Sequence, residues 1–92
     1  MTQTITIELT DTQYKGLEYV ALSPSDWAEN AVTERARIAN DEIVAALVTH
    51  CNANEIAIAT GKDAQIAQAF ELGVVKTATA RQAEEAAALE AN

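Results

Sequence analysis

SPSDWAENAVTERARIANDEIVAALVTHC, residues 23–51, runs without an interior glycine or proline after its second position. Pro24 disfavours helix at Ser23 and suits the first position of a new helix. Ser23 is placed to cap that helix, with Asp26 as its capping-box partner and as a carboxylate complementing the helix dipole. Ala28, Val32, Ala36, Ala39, Ile43, Ala46 and Leu47 recur at helical spacing, flanked by Trp27, Ala31 and Ile38, while Glu29, Glu34, Arg37, Asn40 and Asp41 lie mainly opposite. The spacing predicts one long central helix from Pro24 to about Thr49 or Cys51, a rod of roughly 40 Å at about 1.5 Å per residue.

Upstream, Thr4–Leu9 alternates Ile5, Ile7 and Leu9 with Thr4, Thr6 and Glu8, the period-two pattern of a strand with one apolar face. Thr10 and Gln13 form a capping box for a short helix carrying Tyr14, Leu17, Val20 and Ala21 and ending near Leu22. Downstream, Asn52 and Asn54 mark a turn. Ile56 and Ile58 alternate in Glu55–Thr60 and predict a second short strand. Gly61-Lys62 is a turn, and Asp63 is placed to cap a third helix from Ala64 to about Leu72 with Ile66, Ala69 and Phe70 buried. Gly73 suits the left-handed residue after a helix. Val74 to Thr77 reads as a short link or a continuation, and Ala78 to Ala91 as an Ala/Glu-rich helix of high propensity. The expected fold is α+β and predominantly α-helical: an N-terminal β-strand, a helical hairpin with one long central helix, a short third helix and the C-terminal helix. Residues 1–92 read as a single domain, with the tail 78–92 placed to pack on a partner.

The 49% apolar fraction is rich in alanine, which offers one methyl group to a core. A chain of 92 residues sits near the lower limit at which a single core suffices. The isolated chain is therefore expected to self-associate, or to order fully only against a neighbouring chain. With 14 acidic and 6 basic side chains and a net charge of −8, it lacks the clustered cations that displace counterions from phosphate. Neither nucleic acid nor an anionic membrane is an expected partner; protein partners are. Residues 1–10 are neither basic nor continuously apolar, unlike a signal peptide, and no run approaches the length of a membrane span.

Chemistry-bearing motifs are sparse. His50 and Cys51 are neighbours on a helix, about 100° apart, so the ring and thiol diverge. One histidine and one cysteine fall short of a zinc site. Ala59-Thr60-Gly61-Lys62-Asp63 lacks the leading glycine of a phosphate loop, where Ile56 stands, and places Asp63 where Ser or Thr is needed. The helix after this turn carries Asp63, Gln65, Gln68 and Glu71, none of which grips phosphate as a recognition helix must. Asp41/Glu42 and Glu84/Glu85 read as solvated surface. No catalytic residue, cofactor or metal is expected. Ile5, Ile7, Leu9, Tyr14, Tyr19 and Trp27 are the candidates for contact with another chain, since aromatic and apolar anchors carry most interface energy.

The run LTDTQYKGLEYVALSPSDWAENAVTERARIANDEIV, Leu9 to Val44, resembles a family of small proteins of tailed bacteriophages. GVVKTATARQAE, Gly73 to Glu84, resembles the matching tail. The marks are Leu9-Thr10-Asp11, Tyr14-Lys15, Leu17 to Ala21, Pro24, Trp27 and Arg35 to Ala39. The resemblance implies phage origin and a place among structural genes. It implies a virion structural or assembly subunit, made in the host cytoplasm and contacting other virion chains or itself. It carries over no catalytic or ligand residue. The alternative is a soluble acidic effector that mimics phosphates against a host nucleic-acid-binding protein.

Overall fold

The computed structural model describes residues 2–91, and among them every regular element is a helix. These are α1 (Asp11–Val20), α2 (Pro24–Asn54), α3 (Lys62–Glu71) and α4 (Ala78–Ala91). The chain divides into two compact units, Met1–Ala36 and Arg37–Asn92, with the division falling within α2.

The expected α+β class is corrected: neither Thr4–Leu9 nor Glu55–Thr60 forms a strand. A strand is defined by a ladder, and neither segment has a partner strand among the described residues. The two segments replace that partner differently. Residues 3–9 make no hydrogen bond to any described residue. In Glu55–Thr60 the partner is a side chain. Gln68 of α3 accepts from the Ala59 N–H at 2.8 Å and donates to the Ala57 carbonyl at 2.8 Å. A carboxamide thus pairs with a carbonyl and an N–H two residues apart, as the N–H and C=O of a single residue do in a parallel ladder. Gln65 adds a bond from its amide nitrogen to the Ala59 carbonyl at 3.0 Å.

The caps explain where the helices begin and end. At α1, Thr10 Oγ1 accepts from Gln13 N at 3.1 Å and Gln13 Oε1 accepts from Thr10 N at 2.9 Å, the expected capping box. The helix stops at Val20, short of Leu22, and Ala21 is extended. α2 starts at Pro24 as its sequence dictates, with Ser23 Oγ accepting from Asp26 N at 3.4 Å. It continues to Asn54, beyond Cys51, because Asn52 and Asn54 are accommodated in its last turn. Glu55 then takes a left-handed conformation (φ 55°), and Ile56 N donates to the Cys51 carbonyl at 2.9 Å. This is the six-to-one bond of a Schellman motif.

α3 repeats the ending with the residue that suits it. Gly73 has φ 73°, Val74 N donates to the Ala69 carbonyl at 3.0 Å, and Gly73 N donates to the Phe70 carbonyl at 3.1 Å. Its start differs from expectation: Gly61, with φ 93°, is the N-cap, and Asp63 lies inside the first turn rather than capping it. Thr77 caps α4, its Oγ1 accepting from Ala80 N at 3.1 Å. Val74 to Thr77 is therefore a link and not helix.

Packing follows from these endings. The buried residues of the second unit are Leu47, Cys51 and Ala69, with Ile43, Ile56, Ile58, Val74 and Val75 packed against them. Cys51 and Ala69 each accept a Schellman bond, and the donors Ile56 and Val74 close over the same cluster. Of the apolar face expected on α3, Ala69 is buried and Ile66 half-buried, whereas Phe70 is exposed. At the surface of this unit Lys62 Nζ reaches Asp41 Oδ1 at 2.6 Å and Arg37 reaches Asp41 Oδ2 at 3.0 Å. Asp41 is thus more than solvated surface: it ties α2 to the first residue of α3. Lys76, in the link before α4, pairs with Glu84 in the middle of that helix, whose described side chains are all exposed.

Two measurements check this account. Glu55→Gly relieves a left-handed non-glycine residue and removes an acid from a helix C-terminus, so it is expected to stabilise the protein by about 1 kcal/mol. Gly73→Ala is expected to destabilise it by about 1–2 kcal/mol through backbone strain, since an added Cβ meets nothing within 4 Å. Denaturant melts of the two variants should move in opposite directions. The Lys62 hydrogen bond, then the Lys62 and Arg37 charges, hold the Asp41 carboxyl below its ordinary value of 3.8. A depressed carboxylate contributes stability that is present above its unfolded pKa and lost as pH falls through the folded one. The carboxyl carbon of Asp41, followed by NMR, should titrate below 3.8, and Lys62→Met should move its midpoint upward.

Candidate interaction surface

Among the described residues of the first unit, Met1–Ala36, none is buried. In α1 only Leu17 is half-buried, and Tyr14 stays exposed. The stripe predicted along α2 is uncovered here: Ala28 is half-buried, but Val32 and Ala36 are exposed. Among the described residues of this unit, shallow grooves open on two sides of Ile7 and Ala28. The larger encloses about 740 Å³ and is walled by Ile7 and Leu9, by Tyr14 and Leu17 of α1, and by Pro24 and Ala28 of α2. The second shares Ile7 and Ala28 and adds Gln3, Ile5 and Val32.

The N-terminal segment is arranged simply. Residues 3, 5, 7 and 9 line the grooves, while 2, 4, 6 and 8 do not. This is the period-two facing that the Thr4–Leu9 alternation encodes. The alternation decides which side chains turn toward the helices; it supplies no partner strand.

Of the six contact candidates, Ile5, Ile7, Leu9 and Tyr14 are brought together in the two grooves. Ile5 is 74% exposed and Ile7 62% exposed, so these walls are open to solvent. Tyr19, at 90% exposure, and Trp27, at 50%, belong to neither lining. Sequence reading missed Leu17, Pro24, Ala28 and Val32 as groove residues. The signal was present, since Leu17 and Ala28 fall on the apolar stripes of their helices. Nothing in a one-dimensional pattern says which part of a stripe stays uncovered.

The rim is charged. Asp11, Lys15 and Glu18 border the larger groove and Glu29 the smaller. Lys15 Nζ stands 3.5 Å from Glu18 Oε1, one helical turn away. Among the described residues, neither Asp11 nor Glu29 has a cation partner.

The other motifs take structural places. Cys51 is buried and helps to form the core, with His50 half-buried beside it. Gly61 caps α3, Lys62 is engaged by Asp41, and the carboxamides of Gln65 and Gln68 are engaged by the Ala57–Ala59 backbone. Among the described residues no three His, Cys, Asp or Glu side chains gather as a metal ion would require. Among them, too, no helix is long and apolar enough to cross a membrane. Comparison with protein-family models, with curated proteins and with solved structures finds no match to this chain.

If the grooved face is a contact surface and not a core, its anchors should matter more to association than to folding. Ile7→Asp is expected to shift the melting midpoint little, because the side chain is already 62% exposed. It should weaken any association that this face makes. A large stability loss would instead make Ile7 a core residue.

Proposed function

We propose that the chain is a structural or assembly subunit of a tailed-phage virion, acting by protein–protein contact and not by catalysis, with no cofactor. It is made in the host cytoplasm and ends in the particle, where it meets other virion chains, itself, or both. The observation that carries the contact role is the first unit: Ile5, Ile7, Leu9 and Tyr14 gather on one face and remain exposed. Clustered apolar surface of this kind marks a place where another molecule sits. The phage setting rests on the resemblance of Leu9 to Val44 and Gly73 to Glu84 to the phage family.

Mass spectrometry of purified virions tests the reading. The expected result is the chain at many copies per particle. Its absence from particles, with abundance in the lysate, would overturn the subunit role. The net charge of −8 would then favour the acidic effector directed against a host nucleic-acid-binding protein.

A further inference from the structure

We infer that the groove walled by Ile7, Leu9, Tyr14, Leu17, Pro24 and Ala28 receives a cationic segment of a partner protein, one that places an apolar side chain between lysines or arginines. This deepens the contact role proposed above and rests on it.

The walls specify the apolar part. Two side chains of the N-terminal segment and two of α1 face Pro24 and Ala28 across an open trough of about 740 Å³. Displacing water from apolar walls is the dominant gain in most protein association. The N-terminal wall also offers backbone: residues 3–9 spend none of their N–H or C=O groups on described residues. Each is a donor or acceptor open to an incoming chain.

The rim specifies the charge. Asp11 and Glu18 stand at the larger groove and Glu29 at its neighbour, against Lys15 alone, which Glu18 already engages. Asp11 and Glu29 carry no cation of their own among the described residues. A second copy of this chain fits poorly, since it would bring a net charge of −8 against −8. A cationic segment removes that repulsion and is steered toward the acidic rim, while juxtaposed like charges cost affinity.

The full-length chain, labelled with nitrogen-15, tests this in an NMR titration with three capped synthetic peptides of equal length. One alternates lysine and valine, one glutamate and valine, and one lysine and serine. The lysine–valine peptide is expected to shift the amides of Ile5 to Leu9, Tyr14, Leu17 and Ala28, and to bind more weakly as salt rises. The other two should bind far less, one lacking charge complementarity and the other lacking the apolar anchor. Ile7→Asn should weaken the lysine–valine peptide about tenfold, as expected for losing one partly buried aliphatic contact. Asp11→Asn, at the rim of the groove, should weaken it in low salt and have little effect in high salt. Leu9→Gln serves as a second groove variant should Ile7→Asn perturb the fold.

Equal binding of the lysine–serine peptide would reduce the effect to general charge attraction and overturn the inference. Equal binding of the glutamate–valine peptide would overturn it too, as would shifts confined to residues 37–91. Concentration-dependent shifts at the groove amides without peptide would name a second copy as the occupant and reject the cationic segment. A chain abundant in virions yet blind to the lysine–valine peptide sinks this inference alone. A chain absent from virions that still binds the peptide sinks the subunit role alone.

Discussion

The Ile56 N–H donating to the Cys51 carbonyl at 2.9 Å is the interaction from which the second unit is built. It ends α2 and fixes the direction in which the chain leaves. Ile56 closes over Cys51, and the next residues pass α3, where the Gln68 carboxamide takes the Ala57 carbonyl and the Ala59 N–H. The same device at Ala69 and Val74 ends α3 and returns Val74 and Val75 to the cluster. A chain so rich in alanine has few large apolar side chains to spend. Two helix endings that each bring a branched aliphatic residue onto a small buried one make a core from little material. Nature has used glycine at only one of the two left-handed positions; at the other, Glu55 bears the conformation.

These endings also show what the sequence made legible. Thr10 with Gln13, Pro24 after Ser23, and Gly73 are local signals whose effect is local, and each acts where its chemistry requires. The first three helices follow from stripes and caps, with shifted limits: Asp63 looked like a cap, but Gly61 takes the position, and α2 outlasts Cys51 to Asn54; α4 follows from propensity alone, within the limits expected. The strands were not legible because a strand is not a local property. Alternation at Ile56 and Ile58 tells which way side chains turn, and both do pack on the core. Whether the backbone finds a ladder depends on what lies beside it, here a glutamine whose only mark in the sequence is its place on an otherwise polar helical face. Alternation at Ile5, Ile7 and Leu9 likewise predicted facing correctly and pairing wrongly.

The grooved face was legible as a set of residue types more than as a place. Apolar anchors near the N-terminus pointed to Ile5, Ile7, Leu9 and Tyr14, which share the grooves, and also to Tyr19 and Trp27, which belong to neither lining. Aromatic character selects residues that gain from burial; it does not say which of them converge. Convergence follows from period two meeting period 3.6: alternate residues of the N-terminal segment face the same side as Tyr14 and Leu17 on α1 and Ala28 on α2. The helical members were hidden because a stripe that covers a core and a stripe that stays uncovered have the same spacing.

The contrast between the units gives that ambiguity a physical resolution. In the second, the stripe of α2 is closed by residues that the two Schellman turns carry back, and Leu47 and Cys51 lose nearly all their exposure. In the first, no turn returns a large side chain over the stripe, and Val32 and Trp27 remain about half exposed. One helix thus has the same pattern along its length but opposite fates, decided by what the chain does at its ends. Exposed apolar walls lose favourable burial whenever they stand in water, and a rim on which Asp11 and Glu29 have no cation partner among the described residues resists closure by another acidic surface. A partner that brings both an apolar side chain and positive charge would relieve the two conditions together, whereas folding of the first unit on itself leaves Leu17 and Ala28 only half-buried.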